Sequence, residues 1–131
     1  MIFVDTSAFY ALADAGDPHH PDARRFLSAL LEKEEGLFTH NYVLVETIAL
    51  IQNRIGTEAA LQVADSAEAL EIEWVDRALH ESALRAMKRT RRRKISFVDQ
   101  VSFLLMRSRG IDDVFSFDRD FRREGFREYS D

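Results

Sequence analysis

Four acidic residues stand beside hydrophobic segments in positions that invite a chemical explanation. Asp5 ends the hydrophobic start MIFVD, and Asp118 follows the run DVFSF. Glu46 interrupts YVLVETIALI, and Asp99 lies early in ISFVDQVSFLLM. Carboxylates gathered in one cleft raise one another's pKa, and a divalent cation relieves that repulsion. Because oxygen ligands suit Mg²⁺ or Mn²⁺, the chemistry these acids could perform together is metal-assisted hydrolysis of a phosphodiester.

Each acid also has an ordinary structural explanation. Asp5 and Asp118 can accept amide hydrogen bonds at the start of a helix. Ser96, followed three positions later by Asp99, has the pattern of a capping box. Glu46 has apolar neighbours three and four positions away on its predicted helix, so it faces a desolvation cost unless it is paired, protonated or metal-bound, or reaches the helix edge. The functional interpretation therefore depends on whether the fold brings the four acids together.

Short hydrophobic runs alternate with longer helical patterns along the chain. The predicted strands are IFVD, LFTH, EIEWV, DVFSF and a possible edge strand FREYS. The predicted helices are TSAFYALADAG, DARRFLSALLEKEEG, NYVLVETIALIQNRIG, TEAALQVADSAEAL capped by Thr57, a helix from Arg77 through a basic run, SFVDQVSFLLMRSRG and the short DRDFRREG. Strands separated by helices favour a mostly parallel sheet covered on both faces. Ligands of such sheets bind beyond the carboxyl ends of the strands, which is where Asp5 and Asp118 are expected.

Length and composition limit the classes of protein that need considering. The 131 residues fit one domain, 1–131, and the apolar and charged fractions are those of a globular protein. Without cysteine the chain can form neither a disulfide nor a thiolate metal site. No segment has the length and hydrophobicity of a membrane span or a secretory signal, so a cytoplasmic protein is expected.

The net charge of −5 conceals two halves of opposite sign. Residues 1–76 carry 14 acids and 4 bases, whereas residues 77–131 carry 9 acids and 14 bases. The basic half includes RAMKRTRRRK, from Arg85 to Lys94. This run can be a solvated helix end, where the helix dipole favours cations, or a patch that binds phosphate groups.

The histidines and aromatic residues receive structural interpretations. For His19, His20, His40 and His80, structural or solvent-exposed roles are favoured over catalytic ones. Trp74 and the ten phenylalanines are expected in the core rather than as stacking platforms for bases, because most lie in apolar strand or helix runs.

The order of these motifs resembles that of a known family. MIFVDTSAF, NYVLVETIALI, ISFVDQVSFLLMRSRG and VFSFDRDFRREGF together resemble the PIN-domain ribonucleases, most of all the VapC-type toxins of prokaryotic toxin–antitoxin pairs. The resemblance spans nearly the whole chain. It implies a three-layer α/β/α sandwich with a central, mostly parallel sheet, an RNA-cleaving activity, a small antitoxin protein as partner and a homodimer.

The resemblance also implies roles for individual residues. The family's acidic quartet falls on Asp5, Glu46, Asp99 and Asp118, which are then expected to hold one or two Mg²⁺ or Mn²⁺ ions. Thr6 and Ser116 match hydroxyl residues of the family and would orient carboxylates or waters, as Ser7 could also do. Asp120 is a weaker candidate beside the metal.

The basic segment departs from the family pattern, because RTRRRKIS is more basic than expected. Arg91, Arg92, Arg93 and Lys94 could guide RNA phosphates to the cleft, with an affinity that falls as salt rises. They could equally be a surface feature or part of an antitoxin contact.

Other classes of protein stay open at this point. The chain could be a catalytically degenerate PIN domain that binds RNA or protein, or a PIN nuclease of RNA maturation. A phosphoaspartate receiver is disfavoured because the first strand ends in one acid rather than an adjacent pair, although Asp76 follows a strand. A haloacid-dehalogenase-like phosphatase would need an acid where Ser7 stands.

Overall fold

A five-stranded parallel sheet forms the centre of the protein, which we describe over residues 1–131 from a computed structural model. The strands are β1 (Ile2–Val4), β2 (Leu37–His40), β3 (Glu71–Glu73), β4 (Asp113–Phe115) and β5 (Arg127–Glu128). Their order is β3-β2-β1-β4-β5, and every neighbouring pair is parallel. The predicted sheet is confirmed, and the possible edge strand is real although it is only two residues long.

Seven helices connect the strands. They are α1 (Thr6–Ala13), α2 (His20–Glu32), α3 (Asn41–Arg54), α4 (Thr57–Ala67), α5 (Arg77–Thr90), α6 (Phe97–Arg109) and α7 (Asp120–Arg123). Helix α1 packs against α2, α3 and α4, whereas α5 packs against α6. Because parallel crossovers are right-handed, the first group covers one face of the sheet and the second covers the other. This is the predicted three-layer α/β/α sandwich. None of the helices combines the length and apolar character needed to span a membrane.

The core is built from the central strands and the helices on both sides. Strands buried on both faces need continuous apolar runs rather than an alternating pattern, and IFV in β1 meets this requirement. Phe3 and Phe38 meet edge to face across β1 and β2, with ring centroids 5.3 Å apart. On the α6 side, Phe103 and Phe121 make a second edge-to-face pair at 5.0 Å. Nearly all of the predicted core phenylalanines are therefore in place.

Several predicted boundaries were wrong for local reasons. Helix α5 ends at Thr90 rather than continuing through the basic run, because Arg91 adopts a left-handed conformation (φ 47°). Helix α2 begins two residues early, at His20, with Pro21 in its first turn, where proline is tolerated. The residue that precedes α4 in the capping position is Gly56, so the predicted cap Thr57 is already helical.

Trp74 is not a core residue, which corrects the sequence prediction. Its exposed fraction is 73%. The edge strand β3 ends at Glu73, and Trp74 falls just beyond it, where no second layer of the sandwich covers the side chain. An apolar run at a sheet edge therefore does not guarantee burial.

The sheet has a topological switch point between β1 and β4. The connection that leaves β1 leads to β2 on one side, whereas the chain returns through α5 and α6 to β4 on the other side. The two strands pair in parallel register, with Phe3 opposite Val114 and Val4 opposite Phe115. The residues that follow them, Asp5 and Ser116, therefore emerge side by side where parallel α/β sheets bind ligands.

Candidate active site

A cleft of about 400 Å³ opens at the carboxyl ends of β1 and β4. We call it the acidic cleft; its lining includes all four acids that the sequence singled out, Asp5, Glu46, Asp99 and Asp118. They come from the start of α1, the middle of α3, the first turn of α6 and the segment between β4 and α7. The fold thus brings together four acids that are far apart in the sequence.

Asp5 is the most tightly held of these carboxylates. Its Oδ2 atom accepts hydrogen bonds from the hydroxyls of Ser7 (3.0 Å) and Ser116 (3.1 Å) and from the Ser7 amide (3.4 Å). Asp5 is therefore the N-cap of α1 and a fixed wall of the cleft at once. Burial raises its pKa from 3.8 to about 6, although these hydrogen bonds oppose the shift. The carboxylate is oriented, and its charge is only partly compensated by the protein.

Ser7 is a residue of the site that sequence reasoning undervalued. Its hydroxyl bonds Asp5 and accepts a hydrogen bond from the Phe117 amide at 2.9 Å. Thr6, the hydroxyl residue carried over from the family resemblance, also lines the cleft, but its Oγ1 atom is buried without a hydrogen-bond partner in the protein. The DTS triplet was the available signal, and the direction of each hydroxyl becomes clear only from the helix geometry.

Asp99 combines the predicted capping box with a place in the cleft. Its amide donates to Ser96 Oγ at 3.0 Å, and its Oδ2 atom accepts from the Ser96 amide at 3.2 Å. Burial and the charges of Asp5 and Asp118 raise its pKa to about 7, against a smaller opposing effect of Ser96. The structural and functional interpretations therefore do not exclude each other at this residue.

Asp118 and Asp120 complete a compact group with Asp99. One carboxylate oxygen from each of the three lies within 4.8 Å of the others. Asp118 Oδ1 accepts from the Asp120 amide (3.0 Å), and burial raises the pKa of Asp118. Asp120, the weaker candidate of the sequence analysis, thus offers an oxygen to the same group, although it does not line the cleft. One of its oxygens is also paired with Arg123 at 3.0 Å.

Glu46 lies on the cleft wall but not in this compact group. Of the alternatives that the sequence left open for Glu46, the structure shows escape to the helix edge, because its side chain is exposed. Helix α3 turns Val43 and Thr47 into the protein and leaves Glu46 at the helix edge. An exposed carboxylate on the cleft wall can still reach a ligand in the cleft, whereas Asp5, Asp99 and Asp118 are held by hydrogen bonds.

The donor set fits a divalent cation of the magnesium type. The group offers only oxygen ligands, and hard cations such as Mg²⁺ prefer carboxylate oxygens together with water. Burial raises the pKa of Asp5, Asp99 and Asp118, so each of these carboxylates would gain from a positive charge beside it. The orphaned Thr6 hydroxyl adds a polar atom at the same cleft. A cation held by Asp99, Asp118 and Asp120, with Asp5 and Glu46 nearby, would supply that charge.

The predicted RNA-binding residues lie in an exposed loop between α5 and α6. Arg91, Arg92, Arg93 and Lys94 are all exposed, and two residues later Ser96 lines the acidic cleft. Arg92 bonds Glu124 at 2.9 Å, which ties the loop to the end of α7. The other cations of the loop form no salt bridge.

A larger cavity of about 710 Å³ lies elsewhere on the protein. It is lined mainly by apolar residues, among them Phe9, Leu27 and Val63, and it shares no lining residue with the acidic cleft. Its only acids, Glu35 and Glu71, are each paired with a cation, the N-terminal ammonium and Arg109, and do not form an acidic cluster. The smaller acidic cleft is therefore the candidate active site.

Carboxylates converging at the switch point of a parallel sheet define a class of metal-dependent hydrolase site, and comparison with known proteins names the family. Residues 2–126 match the PIN domain family, to which the chain therefore belongs. The chain is 40% identical over 130 residues to the 23S rRNA-specific endonuclease VapC20 of Mycobacterium tuberculosis, a match that covers 98% of this chain and 97% of VapC20. The predicted VapC-type resemblance is thereby confirmed.

Solved structures agree with this assignment. The crystal structure of Mycobacterium tuberculosis VapC20, a sarcin-ricin loop cleaving toxin, superimposes with a TM-score of 0.91 at 38% identity over the full length of both chains. PAE2754 from Pyrobaculum aerophilum superimposes with a TM-score of 0.62 at 18% identity, covering 97% of this chain and 87% of its own. The second likeness supports the fold alone. The predicted PIN-like fold and the predicted class of enzyme, an endoribonuclease, are confirmed.

Proposed function

We propose that this protein is a toxin that cleaves the sarcin-ricin loop of 23S rRNA by metal-dependent hydrolysis in the acidic cleft. One observation carries the proposal: Asp99, Asp118 and Asp120 place carboxylate oxygens within 4.8 Å of one another, beside the buried Asp5. The choice of RNA rests on full-length likeness to VapC20, which is named for that target. A scaffold that only binds RNA would have no use for several partly buried carboxylates held this close together.

The residues of the cleft would divide the work of holding the cation and the substrate. Asp99, Asp118 and Asp120 are the proposed ligands of Mg²⁺ or Mn²⁺, and Asp5 and the exposed Glu46 would complete the shell directly or through water. When bound, the cation activates water and neutralises charge on the scissile phosphate. Ser7 and Ser116 keep Asp5 in one rotamer, so that its oxygens face the cleft at no further entropic cost.

The sarcin-ricin loop itself provides the direct test of the proposal. We expect the protein with Mg²⁺ to cut a stem-loop RNA carrying this loop at least about tenfold faster than a matched RNA with the same stem and a scrambled loop. Addition of EDTA should stop the cleavage, and an excess of Mg²⁺ or Mn²⁺ should restore it. Gel analysis of end-labelled RNA measures both rates. Cleavage that persists in EDTA would contradict the metal-dependent mechanism.

The partner of a VapC-type toxin is an antitoxin, and we propose that a small antitoxin protein controls this enzyme. The support is the same likeness to VapC20, which is described as a toxin. The homodimer expected from the family resemblance stays a prediction, and the molecular mass of the purified protein in solution would test it.

The exposed basic loop gives a prediction about RNA affinity. Replacing Arg91, Arg92 and Arg93 by alanine should weaken RNA binding and reduce the slope of log affinity against log salt, by about 0.7 for each lost phosphate contact. Filter binding in Ca²⁺, which we expect to occupy the cleft without supporting cleavage, gives the slope across a series of salt concentrations.

A matched triple variant controls for the change in net charge. Arg24, Arg77 and Arg122 are also exposed but do not line the acidic cleft. Their replacement by alanine removes the same charge and should leave a steeper slope than the loop variant has. Equal slopes for the two variants would reject a specific role for the loop.

A further inference from the structure

A column of aromatic rings runs from the core to the rim of the acidic cleft. Phe26 is a buried residue of α2, and the Phe117 ring lies nearly parallel to its ring, with centroids 6.1 Å apart and an interplanar angle of 14°. The His19 ring stacks on Phe117, with centroids 4.5 Å apart and an angle of 12°. His19 and Phe117 both line the cleft. The column therefore ends in solvent, next to the proposed catalytic carboxylates.

The outermost ring of the column, that of His19, has no evident structural role. His19 is exposed, its imidazole forms no hydrogen bond, and it does not cap α2 although it occupies the capping position. Phe117 is its only aromatic neighbour, and the exposure of His19 leaves room for a second ring to stack on it. The adjacent His20 is different, because its Nδ1 atom lies 2.7 Å from the Ala11 carbonyl oxygen and ties the loop to α1.

The loop nevertheless holds His19 in a defined position. Its amide donates to Asp17 Oδ1 at 2.8 Å, and the His20 amide donates to the Asp17 carbonyl at 3.0 Å. Pro18 and Pro21 restrict the backbone on either side. An exposed aromatic ring that is already ordered loses little entropy when a flat ligand stacks on it.

The middle ring of the column, that of Phe117, is linked through its backbone to the reacting centre by hydrogen bonds. The Phe117 amide donates to Ser7 Oγ at 2.9 Å, and the same hydroxyl lies 3.0 Å from Asp5 Oδ2. The column and the carboxylate therefore keep a fixed separation. A planar group stacked on His19 would place a covalently attached phosphate at a reproducible distance from the acidic group.

We infer that His19, supported by Phe117, is a stacking platform for one unpaired base of the RNA substrate next to the cleaved bond. The inference deepens the proposed function, since it names how the substrate is held at the same site. Every base has a π-face, so stacking positions a nucleotide without reading its identity. RNA loops present unstacked bases of this kind, whereas the bases of a regular duplex are not free.

Steady-state kinetics of His19 variants tests the platform with Mg²⁺ and the sarcin-ricin stem-loop. His19→Ala should raise KM about tenfold, the size expected for one lost base stack, and change kcat much less. His19→Phe keeps a flat ring and should restore most of the affinity. His20→Ala is the matched control on the same loop: it should lower thermal stability and leave KM close to the wild-type value.

RNA with single abasic nucleotides on either side of the cut provides an independent readout. One abasic position should raise the KM of the wild type about as much as His19→Ala does, and should have little further effect on that variant. An unchanged KM for His19→Ala, failure of His19→Phe to restore it, or an equal rise for His20→Ala would overturn the platform. If the wild type cleaved no RNA at all, the proposed function would be overturned instead. Failure of the platform and failure of the proposed function are therefore distinguishable.

Discussion

Asp99→Asn should abolish RNA cleavage and at the same time make the metal-free protein more stable. The change removes a proposed cation ligand, and we expect the cleavage rate to fall by at least about 100-fold. It also removes a buried negative charge that faces Asp5 and Asp118. The amide oxygen of asparagine can still accept the hydrogen bond from the Ser96 amide, so the capping box survives in part. A loss of cleavage together with a gain in stability is expected for a site whose carboxylates repel one another until a cation binds.

The sign of the stability change follows from the raised pKa of Asp99. A carboxyl whose pKa is about 7 in the folded protein and 3.8 ordinarily binds its proton more tightly when folded. The contribution of Asp99 to the stability of the fold is therefore most favourable at low pH and is lost as pH rises from about 4 to 7. Asparagine does not titrate, so the variant should exceed the wild type by about 1–3 kcal/mol at pH 8 and by less at pH 5.

Urea unfolding in EDTA at these two pH values measures the difference, and Asp112→Asn is the matched control. Asp112 is exposed and does not line the cleft, so its replacement should change neither stability nor cleavage appreciably. Added Mg²⁺ should stabilise the wild type more than Asp99→Asn, because only the wild type has the full ligand set. A variant that is both inactive and less stable at pH 8 would show that Asp99 is chiefly a structural cap.

The second large effect is expected at His40, which is fully buried at the end of β2. The Val43 amide donates to His40 Nδ1 at 3.3 Å, while Nε2 lies 2.9 Å from Ser102 Oγ. The Ser102 hydroxyl donates onward to the Val98 carbonyl at 3.1 Å. These hydrogen bonds require a neutral imidazole that is protonated on Nε2. Nδ1 accepts from the Val43 amide, and the Ser102 hydroxyl uses its own hydrogen on the Val98 carbonyl, so Nε2 must donate to Ser102. Burial lowers the pKa of His40 to about 3.

Acid should therefore unfold the protein partly through His40. Since the pKa falls from 6.5 to about 3 on folding, the unfolded chain binds the proton more tightly, and stability is lost as pH falls below about 6.5. We expect a loss of about 2–3 kcal/mol from this group between pH 7 and pH 4.5. His40→Asn keeps an N-cap acceptor for α3 but loses the link to Ser102, and should be less stable than the wild type at pH 7 by about 2–4 kcal/mol.

The difference in stability between the wild type and His40→Asn isolates the contribution of the His40 imidazole. Other residues that titrate in the same range contribute to both unfolding curves and cancel in the comparison. The gap between wild type and His40→Asn should therefore shrink as pH falls from 7 to 4.5. Two stability curves that stay parallel over this range would contradict a buried neutral His40.

Much of the site was predictable because parallel sheets impose a simple geometry. A hydrophobic run that ends in an acid, as at Asp5, identifies a strand whose carboxyl end carries a functional group. Asp118 was selected by the same argument, whereas Asp99 was selected as an acid in the first turn of a predicted helix. Glu46 was selected because of apolar neighbours three and four positions away, yet the structure leaves its side chain exposed. The spacing of apolar residues along a helix shows which residues share a face. It does not show which part of that face the next element covers.

The features that escaped prediction depend on loops and edges. The contact of His19 with Phe117 arises from a turn between two prolines, and no periodicity encodes which way that turn presents a ring. The end of α5 depends on one left-handed residue, Arg91, whose side chain gives no warning of it. Trp74 is exposed because β3 is short and lies at the sheet edge. Each outcome is decided by tertiary context rather than by local preference.

The pairing of β1 with β4 has a consequence for how the site is assembled. Ser7 and Ser116, which jointly hold Asp5, are 109 positions apart, and the Asp5 amide donates to the Phe115 carbonyl at 3.1 Å. The two walls of the cleft therefore come from segments that are distant along the chain and meet only when these strands pair. A chain that has not completed this pairing lacks the acidic cleft, whichever of its helices have already formed. For an enzyme proposed to cut ribosomal RNA, the topology itself makes activity depend on long-range folding.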